Sequence, residues 1–318
     1  MATISVLVYF SIFYTLILGH DRGEEKVTVI LRSSSAQLDF WQSFKSGAEA
    51  AAKEQGMALD VQGPLAEEDA EGQLRSLEAA IDRQSDAIII APYEDDRIRK
   101  LLARARSDGI RLVTVGPRTE DTSSHALVTS DNAASGRLAG ETAANRVQGA
   151  AKVAIIGEVA FSAIEQERMD GVQAALDAYG NIDFDVYDAY GSEEQAYEIA
   201  RRLLSDPEPV NTFIALNESA TLGVAKLLGE RELGSVIRLI GFDGTTSEVG
   251  LLESGLLDAA IVQKPFNMGY ISVKTALSLI EGKRVAAETS IEPTVITKSN
   301  MYAAENQKLL FPFIGGSR

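Results

Sequence analysis

The stretch DAIIIAPYEDDRIRKLLARARSDGIRLVTVG (86–116) decides the fold of this chain. It begins with an apolar run, IIIA, continues with an amphipathic segment of helical period, and ends with a second apolar run, LVTV. Runs that are apolar on both faces are typical of strands covered by helices on both sides of a parallel sheet. Gly109 stands just past the helical segment, where a helix C-terminus favours glycine. The stretch therefore predicts one strand-helix-strand unit of a parallel α/β sheet.

The same alternation extends from this unit in both directions. The predicted strands form a first series and a second series, and lie at 27–31, 58–62, 86–91 and 111–116, then at 152–157, 183–187, 212–216, 236–243 and 258–262. A helix at 268–281 and a strand around 291–297 close the pattern. Two such series, each of about 100 residues, predict two doubly wound lobes. A single barrel of eight strand-helix units would produce the same alternation and is the alternative.

Composition excludes several classes of function. The 318 residues include 46 acidic and 30 basic side chains, a formal charge of −16, which argues against a nucleic-acid partner. With no cysteine there is no disulfide and no thiolate nucleophile, and the two histidines, His20 and His125, are far apart. The sequence contains neither a phosphate-binding P-loop nor a dinucleotide-binding glycine motif. We therefore expect no cofactor and no metal.

The N-terminus carries an uncharged, mostly apolar run, ISVLVYFSIFYTLILG (4–19). As a helix it would be about 24 Å long, which is short for a hydrocarbon layer of about 30 Å. No Lys or Arg precedes the run, and no small-x-small cleavage site follows it. We interpret residues 1–26 as an export signal or a retained membrane anchor plus linker. Either interpretation places the rest of the chain outside the cytoplasm, in the periplasm or at the cell surface.

Polar side chains recur directly after predicted strands, where ligands bind in open α/β sheets. Asn217, Asp243 and Gln263 each follow a strand of the second series, and Asp131-Asn132 follows ALVTS (126–130). Each is also a residue type that helix N-caps and turns favour. Carboxylates and amides can each hold two neighbouring hydroxyls, and an arginine such as Arg168 can donate a fork of N–H groups.

Five segments, in order and with fitting spacing, resemble the type I periplasmic binding proteins of the ribose-binding kind. The matching segments are FWQSFKSGAEAAAKEQG (40–56), TSDNAASGRLAGE (129–141), QERMDGVQAAL (166–176), ALNESATLGVAKLL (215–228), and LIGFDGT (239–245) with AAIVQKP (259–265). The resemblance implies two doubly wound parallel-sheet lobes joined by a three-strand hinge, with a small ligand held between them. It also implies lobe boundaries: 27–130 with 264–291 in the first lobe, and 131–263 with 292–314 in the second.

The resemblance also implies roles for matching positions. Phe40 and Trp41 would sandwich a sugar ring, and its hydroxyls would be bound by Arg168, Asn217, Asp243 and Gln263. Ser34 and Asn132 would complete the set, and Tyr190 would supply an aromatic wall on the second lobe. Ribose binders carry Asp-Arg after the fourth strand, whereas this chain reads Gly116-Pro117-Arg118. Arg118 is thus displaced by one position, and the pattern of hydroxyls it reads must differ from that of ribose.

Three functions follow from these expectations. The first is a binding protein that captures a monosaccharide or similar polyol and presents it to the membrane permease of an ABC importer. The second is a membrane-anchored receptor that signals through a sensor histidine kinase of a two-component system. The third is a glycosidase with paired carboxylates, for which Glu218 and Asp243 are the nearest candidates. A cytosolic repressor core is disfavoured because no DNA-binding segment precedes the first strand.

Overall fold

Two six-stranded sheets, each covered by helices, form the body of the protein. The computed structural model describes residues 26–35, 39–66, 69–118, 123–146, 151–160, 162–180 and 182–311. The strands are β1 (Val27–Ile30), β2 (Leu59–Gln62), β3 (Ala87–Ile90), β4 (Arg111–Val115), β5 (Ala126–Ser130), β6 (Ala151–Gly157), β7 (Ile182–Asp188), β8 (Thr212–Ala215), β9 (Arg238–Phe242), β10 (Ala259–Val262), β11 (Glu288–Ile291) and β12 (Thr294–Ile296). The helices are α1 (Asp39–Glu54), α2 (Ala70–Asp82), α3 (Asp96–Ser107), α4 (Asn132–Arg146), α5 (Ala163–Tyr179), α6 (Glu193–Leu203), α7 (Glu218–Glu230), α8 (Thr246–Ser254), α9 (Pro265–Ile280) and α10 (Ala304–Leu310).

The first sheet has the strand order β11-β5-β4-β3-β1-β2, and all its pairings are parallel. The apolar run IIIA in β3 explains why helices cover both faces of this sheet. Ile88 and Ile90 pack into a cluster with α2 and α3, whereas Ile89 packs on the opposite face with α1 and α9. Alternate side chains of one strand point to opposite faces, so a continuous apolar run needs a helical layer on each side.

The second sheet repeats this arrangement with the order β12-β10-β9-β8-β6-β7. Helices α6, α7 and α8 cover one face, and α4 and α5 cover the other. Only β12 departs from the parallel pattern, because it pairs antiparallel with β10. The prediction of two doubly wound lobes is confirmed, and the single-barrel alternative is wrong because the strands divide between two open sheets.

The chain passes from one sheet to the other after β5, after β10 and between β11 and β12. The predicted strand around 291–297 is confirmed as β12, but β11, which precedes it and belongs to the other sheet, was not predicted; Glu292 and Pro293 separate the two. Proline has no N–H to donate to a ladder, so a strand is readily interrupted there. The lobe boundaries at 130/131, 263/264 and 291/292 stay a prediction; the packing of α4 on α5 and of α9 on α1 supports the first two.

Helices α4 and α5 pack in direct backbone contact. A Cβ on Gly136 of α4 would lie 1.8 Å from the carbonyl oxygen of Arg168, and a Cβ on Gly171 of α5 would lie 2.1 Å from that of Ala133. Only glycine permits this approach at either position. The contact sets the position of Arg168 against the start of α4, at the edge of the sheet where the candidate ligand residues lie.

No helix among the described residues is long and apolar enough to cross a membrane. The apolar run 4–19, and with it the predicted signal or anchor of residues 1–26, lies outside the described residues.

Candidate ligand site between the two sheets

A continuous chain of hydrogen bonds joins the carboxyl edges of the two sheets. Ser130, at the end of β5, donates from Oγ to Oε1 of Gln263, 2.7 Å away. Gln263 follows β10 and donates from Nε2 to Oδ1 of Asp243, at 2.8 Å. The same oxygen accepts from Nη2 of Arg168, also at 2.8 Å. The structure thus brings three of the predicted residues, Arg168, Asp243 and Gln263, into one network that reaches the first sheet.

Asp243 is held by an unusual turn after β9. It has φ of +86° and Gly244 has φ of +72°, a conformation that side-chain-bearing residues rarely adopt. Oε2 of Glu248 accepts from the backbone nitrogens of Gly244, at 2.6 Å, and Thr245, at 3.0 Å. Thr245 caps α8 in return, which completes a capping box. The turn that aims Asp243 therefore depends on Glu248, which was not among the predicted residues although the pattern Thr-x-x-Glu marks it.

Glu248 is also an unusual ionisable group. Its side chain is completely buried. Burial raises its pKa to about 8, the charge of Asp243 adds to the effect, and hydrogen bonds from the backbone of Thr245 and Gly244 and from the side chain of Thr221 oppose it. An acid in this setting holds its proton near neutral pH, which spares the site a second negative charge beside Asp243.

Arg168, near the start of α5, is a buried cation and not a solvated charge on the helix surface. Its side chain is 3% exposed, and its guanidinium lies over the ring of Phe242, 4.6 Å from the centroid. Nη1 donates to the carbonyl oxygen of Leu216 at 2.6 Å, and Nε is buried with no partner among the described residues. A guanidinium has five N–H donors, so contacts to Leu216 and Asp243 leave donor capacity for a ligand.

Asn217 occupies the N-cap position that its residue type favours. Its Oδ1 accepts from the nitrogen of Ala220, at 2.8 Å, and its Nδ2 donates to Oε1 of Glu165, at 2.7 Å. Glu165 also accepts from the nitrogen of Glu158, at 2.6 Å, so it links the ends of β6 and β8. Burial raises the pKa of Glu165, and the hydrogen bonds from Asn217 and Glu158 oppose that rise. Asn217 thus caps a helix and binds Glu165, and its contact with a ligand stays a prediction.

Arg118 and Asn132 meet at a carboxylate of α5. Nδ2 of Asn132 donates to Oε2 of Glu167, at 3.0 Å, and Nη1 of Arg118 lies 3.6 Å from Oε1 of the same residue. Arg118 also makes a forked ion pair with Glu288 of β11, in which Nε donates to Oε2 at 2.9 Å. Arg118 is thus paired with two carboxylates and links strand β11 of the first sheet to helix α5, which covers the second sheet. Its direct role in ligand binding stays a prediction.

The aromatic candidates are placed differently from one another. The rings of Phe40 and Trp41 meet edge to face, with centroids 4.9 Å apart and planes inclined by 79°. Trp41 is 7% exposed and packs on Phe44 in the core of the first sheet, whereas Phe40 is only partly buried. Tyr190 is 65% exposed at the end of β7, in a turn where it has φ of +52°. The sandwich by Phe40 and Trp41 and the wall by Tyr190 stay predictions.

Two further residues lie at the carboxyl edge of the first sheet. Oγ of Ser34 donates to the carbonyl oxygens of Gly63 and Pro64, at 3.1 and 3.0 Å, so this hydroxyl braces the loop after β2. Arg32, directly after β1, lies over the ring of Tyr93, 4.5 Å from its centroid. Arg32 was not among the predicted residues, although a basic side chain just after a buried strand fits the criterion of polar residues at strand ends.

Three further observations concern metal binding, the surface depressions and a carboxylate considered for a glycosidase. No cluster of three or more His, Cys, Asp or Glu that could hold a metal occurs among them. Two surface depressions, of about 800 and 410 Å³, share Ser85 and lie at the amino ends of the first sheet's strands, opposite the polar network. Ligands of open α/β sheets bind at the carboxyl ends. Glu218, one carboxylate considered for a glycosidase, accepts a hydrogen bond from Thr245 at 2.7 Å.

Two doubly wound lobes, whose carboxyl edges meet around buried and fixed polar side chains, define a two-lobe binding protein. A sequence profile described as "Periplasmic binding protein domain" matches residues 28–284. The chain belongs to this family, as its sequence resemblance indicated.

Similar proteins of known description agree with this assignment. The chain is 27% identical over 276 residues to "Ribose import binding protein RbsB" of Haemophilus influenzae, covering 85% of this chain and 91% of that one. It is 29% identical to the solved structure of GanP, a glucose-galactose binding protein from Geobacillus stearothermophilus, with a TM-score of 0.76 and coverage of 88% and 99%. It is 25% identical to a carbohydrate transporter solute binding protein from Agrobacterium radiobacter, solved with D-arabinose, with a TM-score of 0.75 and coverage of 91% and 99%. All three are described as binding proteins.

Proposed function

We propose that this protein is an extracytoplasmic solute-binding protein that captures a monosaccharide or similar polyol between its lobes. The observation that carries the proposal is the network Arg168–Asp243–Gln263–Ser130, which provides charged and polar groups fixed before any ligand arrives. Hydroxyls that leave water must find buried partners, since each unsatisfied polar group costs about 1–3 kcal/mol. A site of fixed hydrogen-bonding groups therefore selects a particular arrangement of hydroxyls.

Lobe closure would convert binding into a signal for a partner. A ligand that touches both sheets stabilises the closed form over the open form, and only this difference shifts the population between them. The strand crossings after β5 and β10 carry Ser130 and Gln263, so the hinge and the site share a hydrogen bond. The closed form would then be recognised by the permease of an ABC importer. The names of the similar proteins, which include ribose import and carbohydrate transport, support this partner.

Calorimetry against a panel of pentoses, hexoses and inositols tests the proposal. Asp243→Asn removes the carboxylate charge that accepts from both Arg168 and Gln263, and we expect binding at least tenfold weaker. Asp177→Asn, on the exposed side of α5, is the matched control and should bind as the wild type does. Absence of binding across the panel, or normal binding by Asp243→Asn, would contradict the proposed site.

The location and the importer need separate experiments. We expect the protein in the extracytoplasmic fraction of its own cells, and purified protein should stimulate sugar-dependent ATP hydrolysis by its permease in vesicles. A protein confined to the cytoplasm, or a permease indifferent to it, would count against this part of the proposal.

A further inference from the structure

The turn that carries Asp243 depends on one side-chain oxygen. Asp243 and Gly244 both have positive φ, +86° and +72°. The backbone nitrogens of Gly244 and Thr245 both donate to Oε2 of Glu248, at 2.6 and 3.0 Å. A backbone N–H that is withdrawn from water and has no acceptor costs free energy. The geometry of the turn is therefore tied to the side chain of Glu248.

Strand β10 holds the same turn from its other side. The nitrogen of Asp243 donates to the carbonyl oxygen of Ile261, at 3.0 Å. A Cβ on Gly244 would lie 2.6 Å from Cγ2 of Val262, so the turn packs directly against the strand. The side chain of Asp243 is 29% exposed, whereas Glu248 is completely buried. A ligand can therefore meet the carboxylate of Asp243 directly, and can sense Glu248 only through the turn.

Charged side chains reach the turn from two other elements. Arg168 of α5 donates to Asp243 at 2.8 Å, and Glu218, the first residue of α7, accepts a hydrogen bond from the side chain of Thr245 at 2.7 Å. The uncharged side chains packed around Glu248 and the turn are Thr221 of α7, Val262 of β10 and Leu310 of α10. The ionised form of Glu248 would thus add a buried negative charge beside Asp243, which the neutral form avoids.

We propose that Glu248 is a positioning residue of the ligand site, which as a neutral acid fixes the turn that presents Asp243 to the ligand. The inference rests on the proposed function, which it deepens. A neutral carboxyl group can still accept the two backbone hydrogen bonds through its carbonyl oxygen. It adds no charge to the turn, so Asp243 keeps its pairing with Arg168 and its exposed face for a hydroxyl of the sugar.

The proton on Glu248 is thereby linked to ligand binding. Water in the open cleft screens the charge of Asp243, and a ligand that seals the cleft removes this water and strengthens the repulsion between two ionised carboxylates. Burial and the charge of Asp243 already raise the pKa of Glu248 to about 8, and ligand binding should raise it further. The bound protein then holds the proton more tightly than the free protein does. Affinity is therefore full at lower pH and falls as pH rises through the pKa of the free protein.

Few other side chains of this chain change charge between pH 7 and pH 9. The sequence has no cysteine and two histidines. Imidazoles ordinarily titrate near about pH 6.5, and burial, together with Arg106 and Arg111, lowers the pKa of His125. A neutral sugar does not titrate in this range. The pH dependence of its affinity therefore reports mainly on Glu248, and every other group is common to the wild type and a glutamine variant.

Calorimetry at pH 6, 7, 8 and 9 tests the proposal, with D-ribose, D-galactose and D-arabinose as neutral probes. For whichever sugar binds the wild type most tightly, affinity should fall several-fold between pH 7 and pH 9. Glu248→Gln keeps the acceptor and cannot titrate, so its affinity should match the wild type at pH 7 and stay within about twofold up to pH 9. Glu253→Gln, on the exposed side of α8, is the control and should follow the wild type.

Proton uptake gives a second measurement that needs no variant. The wild type should take up a fraction of a proton per bound sugar at pH 8, which is measured from binding enthalpies in buffers of different ionisation enthalpy. Glu248→Gln should take up none. Glu248→Met keeps the length of the side chain but loses the oxygen acceptor, so at pH 7 it should bind at least tenfold more weakly while circular dichroism shows a folded protein.

The outcomes separate this inference from the proposed function. Sugar binding whose affinity is the same from pH 7 to pH 9 in the wild type, or falls equally in Glu248→Gln, would overturn the inference and leave the proposed function standing. Wild-type affinity in a folded Glu248→Met protein would overturn it as well. Absence of binding by every sugar at every pH would contradict both.

Discussion

Replacing Glu248 with glutamine should change how the stability of the protein depends on pH. Glu248 is fully buried beneath the Asp243 turn, and its pKa is raised to about 8 from a usual 4.5. The folded protein therefore holds this proton in a pH range in which the unfolded chain has released it. Its stabilising contribution is complete below the unfolded pKa and is lost as pH rises through the folded one. Glutamine cannot titrate, and its carbonyl can still accept from Gly244 and Thr245.

The size of the effect follows from the two pKa values. Each tenfold change in proton affinity corresponds to about 1.4 kcal/mol, so the wild type should lose up to about 5 kcal/mol between pH 4.5 and pH 8. That is a large part of the 5–15 kcal/mol, roughly, by which most domains are stable. In Glu248→Gln this pH-dependent loss of unfolding free energy does not occur, because glutamine does not titrate. The difference in unfolding free energy, variant minus wild type, should therefore rise by several kcal/mol over this range and level off above it.

Urea denaturation at one-unit steps from pH 5 to pH 9, followed by circular dichroism, measures this difference. Titration of all other groups is common to both proteins and cancels in the comparison. A difference that stays constant with pH would show that Glu248 is ionised in the folded state throughout, and would refute the reasoning. Glu253→Gln, on the exposed side of α8, is the control and should show no comparable pH dependence.

Two further substitutions test the packing and the hinge. Gly136→Ala should destabilise the protein by more than about 2 kcal/mol, because its Cβ would lie 1.8 Å from the carbonyl oxygen of Arg168. Gly250→Ala is the control, since a Cβ at this position of α8 would meet open space. It should be neutral or stabilise the protein by up to about 1 kcal/mol. Thermal unfolding measures both, and equal effects would contradict the close contact of α4 and α5. Ser130→Ala removes the hydroxyl that donates to Gln263, so ligand affinity should fall by roughly 1 kcal/mol, or about fivefold. Calorimetry that shows unchanged affinity would mean that this bond is not maintained in the bound state.

The repeated pattern of apolar runs was enough to predict the strands and the two-lobe architecture. Ile88, Ile89 and Ile90 must all be buried, and only a sheet with helices on both faces can bury three consecutive side chains of one strand. The family followed from five segments in order. The last strand, around 291–297, is confirmed as β12, whereas β11 could not be predicted because no local pattern in 288–291 indicates a separate strand that pairs in the other sheet.

Residue type and position in the chain determined which polar side chains stand at or near strand ends, so Arg168, Asp243 and Gln263 could be selected from the sequence alone. Only the tertiary structure decided that these three share one network, that Asn217 is occupied by a helix cap and by Glu165, and that Trp41 packs into the core. The physical reason is that burial and hydrogen-bond partners depend on residues distant in sequence. The local sequence pattern indicates which secondary structure a residue favours. Which side chain it contacts or hydrogen-bonds depends on how the helices and sheets pack together.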